Sequence, residues 1–202
     1  MIFFLNTLNY QEKLELIKSL HVIISKYPFF SPTTPRFNKP FKIKTTNAGK
    51  WGWTSDVTGY KYTRKHPITK KSWPEIPKNL LNIWNKFTDS KSLPDSCLIN
   101  LYNYPDSSLG VHQDKDEKNF QQPILSISLG SDCIFKFGKK KNKLKTINLK
   151  SGSIAILKGD SRLYYHGVPK IIKTDNNIFN KLKYNCFPND CRINITLRKY
   201  EL

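Results

Sequence analysis

Between Cys191 and Arg198 the chain reads C-R-I-N-I-T-L-R, and this strict alternation constrains the fold more than any other stretch. Ile193, Ile195 and Leu197 fall on one side of an extended segment, while Arg192, Asn194, Thr196 and Arg198 fall on the other. An ordinary surface strand would carry Lys, Thr and Glu on its wet side. Two arginines and an asparagine instead suit recognition of a carboxylate. Further β-rich runs at 97–104, 123–129, 133–138, 144–149, 153–158 and 161–166 are separated by Pro, Gly, Ser or Lys-Asn clusters. That spacing predicts a β-sandwich or barrel.

Two helices flank these runs. Asn9 with Glu12 three residues on predicts a capped start, and Leu14, Ile17, Leu20 and Ile24 then recur at helical spacing as far as Tyr27-Pro28. His21 sits beside that stripe and reads as packing. Pro77 opens a second helix whose inward face is Leu80, Leu81, Trp84 and Phe87, a buttress for the sheets. Residues 28–50, with four prolines, read as irregular connection, and 167–190 as a surface loop crossing back to the last strand. The run W-G-W-T-S-D-V-T-G-Y-K-Y-T-R, from Trp51 to Arg64, predicts a hairpin turning near Asp56-Val57-Thr58-Gly59.

Chemistry enters at H-Q-D-K-D-E, where His112 and Asp114 stand two apart and so converge if the segment is extended. One His-x-Asp pair is weakly specific. A third ligand is supplied by His166, which ends the run S-R-L-Y-Y-H. Two histidines and one carboxylate form the facial triad of non-haem Fe(II) oxygenases, with three octahedral positions left open. His66, in R-K-H-P-I-T-K-K, is too polar in setting and too near Pro67 to be a persuasive ligand.

With these residues in hand, the chain resembles the AlkB-type Fe(II)/2-oxoglutarate dioxygenases of nucleic-acid bases. The segments N-L-Y, H-Q-D-K-D-E, P-I-L-S-I-S-L-G, I-F-K-F-G, S-R-L-Y-Y-H-G and R-I-N-I-T-L-R occur in that family's order over roughly residues 49 to 199. The resemblance implies a mainly β double-stranded β-helix, or jelly roll, with helices on one side. The length of 202 residues predicts one domain over 1–202, with an N-terminal helix and connection (1–48) that the resemblance does not reach, a nucleotide-recognition lid with its buttress helix (49–92), and a jelly-roll catalytic core (93–200). By the same resemblance His112, Asp114 and His166 hold Fe(II), while Asn100, Tyr102, Arg192, Asn194 and Arg198 contact 2-oxoglutarate, with O2 as the other reactant. Arg192 is expected on the distal carboxylate and Arg198 nearer the iron-side one. Trp53 and Tyr60 would stack on and hold the target base, and Asp116 would meet its exocyclic amine. One departure is that the family's basic residue after I-F-x-F-G falls near Asn142, between Lys141 and Lys143. The expected activity is demethylation of 1-methyladenine and 3-methylcytosine lesions in DNA repair, with succinate, CO2 and formaldehyde as products.

Composition fits such a substrate. Lys plus Arg number 34 against 15 Asp plus Glu, a formal net charge of +19 that implies a polyanionic partner, although an AT-rich coding sequence would itself enrich lysine. The four cysteines have no disulfide-framework or zinc spacing and read as reduced thiols. No signal peptide or spanning segment is visible, which predicts a cytoplasmic protein with no membrane partner, and a monomer is expected. The partner would be single-stranded or duplex DNA, with RNA as the alternative. Three other readings stay open: an RNA or tRNA demethylase, a non-catalytic nucleic-acid-binding jelly roll, and a dioxygenase of protein or lipid.

Overall fold

A computed structural model describes residues 1–182 and 184–201, leaving Lys183 and Leu202 outside the description. In chain order its elements are β1 (Ile2–Phe4), α1 (Tyr10–Lys26), β2 (Lys44–Gly49), β3 (Gly52–Asp56), β4 (Gly59–Thr63), α2 (Lys78–Phe87) and β5 (Ser96–Tyr102). There follow β6 (Leu109–His112), β7 (Ile124–Gly130), β8 (Asp132–Lys140), β9 (Lys143–Leu149), β10 (Ile154–Leu157), β11 (Tyr165–Ile172), α3 (Ile178–Lys181) and β12 (Arg192–Arg198). The larger sheet runs β1-β10-β7-β12-β5-β2 and the smaller β6-β11-β8-β9, all antiparallel, with β3-β4 as a separate hairpin. This is the expected jelly roll.

β12 lies at the centre of the larger sheet, and its alternation sorts the whole molecule. Ile193, Ile195 and Leu197 point outward to α1 and α2, where they join Leu16, Ile17, Leu20, Leu80 and Trp84 in the main core. Burying each such side chain contributes about 1.5–3 kcal/mol. The helices thus cover one side of the sheet, and α1 begins as the sequence requires: Asn9 Oδ1 accepts from the Glu12 amide while Glu12 Oε2 accepts from the Asn9 amide. A second, smaller core of Tyr102, Cys133, Phe135, Val168 and Ile171 fills the space between the sheets.

Three local expectations are corrected. Part of 28–50 is strand β2, paired with β5, and its T-T-N carries no hydrophobic alternation because hydrogen bonds satisfy its buried side chains. Thr45 donates to the Ile99 carbonyl and Thr46 to that of Tyr27. The run at 161–166 is strand only from Tyr165, a 3-10 turn occupying Gly159–Ser161. Lastly, 167–190 is not all surface loop: β11 runs on to Ile172, α3 follows, and Ile178, Phe179 and Phe187 are core residues. Pro169 obscured that strand, since a proline normally argues against one. Here it sits where the β11–β8 register shifts between Gly167 and Lys170.

Candidate active site

His112 and His166 are cross-strand partners on β6 and β11, and Asp114 follows β6 by two residues. Each histidine presents Nε2 to the carboxylate: His112 Nε2 lies 3.6 Å from Asp114 Oδ1, and His166 Nε2 3.6 Å from Asp114 Oδ2. The other ring nitrogens are fixed by backbone carbonyls. His112 Nδ1 is 2.8 Å from the Gly110 oxygen and His166 Nδ1 3.0 Å from the Tyr164 oxygen. A carbonyl only accepts, so Nδ1 carries the proton and Nε2 keeps its lone pair for a metal. Gly167 lets the strands approach this closely, since a Cβ there would meet the Leu109 and Gly110 carbonyl oxygens at 3.0 Å.

Protonation states suit a cation as well. Burial opposes ionisation of Asp114, but Arg198 and then the two histidines outweigh it and hold the carboxyl well below its usual range. Burial lowers the pKa of His166 against the pull of Asp114, keeping the imidazole neutral as a ligand must be. The ligand atoms of His112, Asp114 and His166 lie within 4.8 Å of one another, the one such His/Cys/Asp/Glu group among the described residues. Their donor set fits Fe(II) with positions left open.

Beside the triad the polar side of β12 forms one wall of a cavity of about 470 Å³. Arg192 is 1% exposed; its Nη2 reaches Ser128 Oγ at 3.0 Å, and its guanidinium lies 4.9 Å from the Tyr102 ring centre. Its Nε and Nη1 have no protein partner, and neither has buried Asn100 Oδ1. Buried unpaired guanidinium donors are costly unless an anion meets them, so this wall of the cavity can take an anion such as a carboxylate. Burial pushes the Tyr102 hydroxyl up to about 12 despite the Arg192 charge, which keeps it a donor. Asn194 faces the same wall and is held by Ser126 Oγ at 2.6 Å.

Arg198 is differently employed. Its Nη2 binds Asp114 Oδ1 at 2.9 Å, and its Nη1 binds Glu117 Oε1 and the Tyr62 hydroxyl, both at 3.1 Å. Arg162 completes the group, reaching Glu117 Oε2 at 2.9 Å and the Asp114 carbonyl at 2.8 Å. Two buried arginines and two buried carboxylates thus balance in charge. Across the cavity mouth the hairpin places Trp53 and Tyr60 in a stack, ring centres 5.8 Å apart and planes 20° apart. Trp53 Nε1 donates to Asp116 Oδ2 at 3.1 Å.

All eleven residues singled out in the sequence therefore line this one cavity. Sequence reasoning passed over the residues that support the lining from behind, Tyr62, Glu117, Arg162 and Asn47. Asn47 anchors the hairpin by two 3.1 Å bonds to the Trp53 backbone. Glu117 and Arg162 lay inside quoted motifs without an assigned role, and their burial beside Asp114 was the missing signal. His66 is fully buried, with Nε2 donating to the Pro28 carbonyl and Nδ1 accepting from the Ile68 and Thr69 amides, so both nitrogens are spent on structure. His21 stacks on Tyr184, ring centres 4.2 Å apart. The Lys141–Asn142 turn between β8 and β9 is exposed, outside the cavity lining. No helix among the described residues is long and apolar enough to cross a membrane.

Residues 1–198 match the family model described as the 2OG-Fe(II) oxygenase superfamily, so the likeness begins well before residue 49. The alpha-ketoglutarate-dependent dioxygenase AlkB homolog of Caulobacter vibrioides is 38% identical over 172 residues, covering 84% of this chain and 74% of its own length. For AlkB of Escherichia coli K12 the identity is 35% over 191 residues, covering 92% and 83%. Similarity extends to the tRNA demethylase abh1 of Schizosaccharomyces pombe, 31% identical over 66% of this chain and 46% of that one. The solved structure of OsALKBH1 superposes with a TM-score of 0.75 at 25% identity, covering 98% of this chain and 95% of that one. With the triad and the anion-accepting wall in place, these likenesses show that the chain belongs to the AlkB-type dioxygenases of the 2OG-Fe(II) oxygenase superfamily, enzymes that work with Fe(II), 2-oxoglutarate and O2.

Proposed function

We propose that this protein removes N-linked methyl groups from nucleic-acid bases by oxidation, with 1-methyladenine and 3-methylcytosine in DNA as its principal targets. The observation that carries this reading is the joint lining of one cavity by the triad, by Arg192 with two unpaired donors, and by the Trp53–Tyr60 stack beside Asp116. Relatives named for AlkB and for tRNA demethylation support a nucleic-acid substrate, and the net charge of +19 supports a polyanion.

In this reading His112, Asp114 and His166 hold Fe(II), which together with 2-oxoglutarate and O2 supplies oxidation of the methyl carbon. Arg192 takes one carboxylate of 2-oxoglutarate on its free Nε and Nη1, a charge-assisted pairing. Asn100, Tyr102 and Asn194 orient the same molecule, and Arg198 offers its remaining Nε while holding Asp114. Trp53 and Tyr60 provide aromatic faces for the base, and Asp116 accepts from its exocyclic amine. A base inside a duplex has to be extruded first, at a cost of a few kcal/mol. Hydroxylation of the N-methyl group then releases formaldehyde and restores the base. Residues 49–92 carry recognition and 93–200 catalysis within one domain, which works as a cytoplasmic monomer.

Anaerobic reconstitution with Fe(II) and 2-oxoglutarate, followed by air and a methylated oligonucleotide, tests the function. Formaldehyde matched to succinate is expected. Succinate without formaldehyde on DNA and RNA lesions alike would refute demethylation, and release from RNA alone would move the assignment to tRNA or another RNA.

A further inference from the structure

Trp53 and Tyr62 are directly opposed across the β3–β4 hairpin, so their side chains leave it on the same face. Trp53 reaches Asp116 Oδ2, and the Tyr62 hydroxyl donates to Glu117 Oε1 at 2.6 Å. One cross-strand pair thereby grips two adjacent carboxylates of the loop that carries Asp114. The same hydroxyl accepts from Arg198 Nη1, and Arg198 Nη2 holds Asp114 Oδ1. Behind Tyr62 the ring of Tyr200 stacks at 4.1 Å, fixing where that hydroxyl stands.

We propose that Tyr62 and Glu117 are positioning residues which couple the lid hairpin to the metal ligand Asp114. The proposal rests on reading β3–β4 as the lid that meets the base. A base seated against Trp53 competes for Asp116 and bears on the strand pair that also presents Tyr62. Through Glu117 and Arg198 the shift arrives at the carboxylate of Asp114, so seating of the target and orientation of the ligand are linked. If Glu117 served only to neutralise Arg162 and Arg198, the hydroxyl of Tyr62 would be dispensable, because it carries no charge.

Tyr62→Phe separates these roles, since it keeps the ring and its stack on Tyr200 and leaves the four buried charges balanced. Hydrogen exchange is followed on Co(II)-loaded protein with and without a single-stranded oligonucleotide bearing 1-methyladenine. In the wild type, protection is expected over residues 52–63 and also over 113–118. In Tyr62→Phe it is expected over the hairpin alone, with the Co(II) dissociation constant raised about tenfold, the scale for losing a group that orients a metal ligand. Loop protection and a Co(II) titration equal to wild type in the variant would overturn the coupling. A wild type whose loop stays unprotected would overturn it too. Formaldehyde release is measured separately on the Fe(II) enzyme, so a failed demethylase reading shows there, while the coupling stands or falls on exchange and metal titration.

Discussion

The two walls of the cavity are made on opposite terms. On one side β12 is paired along its length with β5 and β7, its apolar residues buried under two helices and its polar ones almost wholly withdrawn from solvent. Facing it, the β3–β4 hairpin pairs only with itself, and Tyr60 is 52% exposed. Backbone ladders on both sides fix the first wall, whereas the second is held by isolated backbone bonds from Thr33 and Arg36 and by side-chain bonds from Asn47, Asp116 and Glu117. The difference separates two kinds of support: Arg192 and Asn194, proposed to meet the cosubstrate, stand on a floor strand paired on both sides, whereas Trp53 and Tyr60, proposed to meet the base, stand on a two-stranded hairpin at the cavity mouth.

Substitutions can break or sharpen this contrast. The largest effect is expected at the triad, which Arg198 of the floor steadies: Asp114→Asn should remove both metal binding and turnover because the charged ligand is lost. Retention of wild-type Fe(II) affinity by that variant would end the assignment of the triad. Glu117→Ala should cost about 3–5 kcal/mol of stability, since two buried guanidiniums are left with one carboxylate between them. Chemical denaturation reads this directly, and a loss below ~1 kcal/mol would mean that the buried charges relax into water.

Arg192→Ala should raise the 2-oxoglutarate requirement roughly ten- to a hundredfold, corresponding to about 1.5–3 kcal/mol for a charge-assisted pair. Oligonucleotide affinity should stay where it was. A cosubstrate titration that does not move would show that the unpaired donors serve something else. The smallest effect is expected where the Asp114 loop touches the lid: Asp116→Asn should lower kcat/KM about tenfold or less on 1-methyladenine and 3-methylcytosine, both cationic, and less still on neutral 3-methylthymine. Equal losses on both kinds of lesion would show that Asp116 shapes the lid, through Trp53, without sensing charge.

The floor and the triad were legible because their patterns are local. Alternation over Arg192–Arg198 fixes which side is buried, and H-Q-D places two ligands within three residues. What supports the floor was not legible. Glu117 sits between Asp116 and Lys118, both exposed, and nothing nearby marks it as buried. Its partners Arg162 and Arg198 lie 45 and 81 residues away, so only the fold brings them together. β2 escaped for a related reason: Thr45, Thr46 and Asn47 satisfy themselves through hydrogen bonds rather than apolar burial, and periodicity of hydrophobicity is blind to such a strand.

β12 stands in the middle of the larger sheet yet follows the other strands in the chain. A ribosome therefore delivers His112, Asp114 and His166 before the guanidinium that steadies them. Until β12 inserts, β5 and β7 each offer an open edge to any neighbouring polypeptide, and the outer helices have no central strand to pack on. The seven residues of β12 close both of those edges at once, pairing along their whole length with β5 on one side and β7 on the other. In the finished fold the edges that remain are those of β1 and β2 in the larger sheet and of β6 and β9 in the smaller.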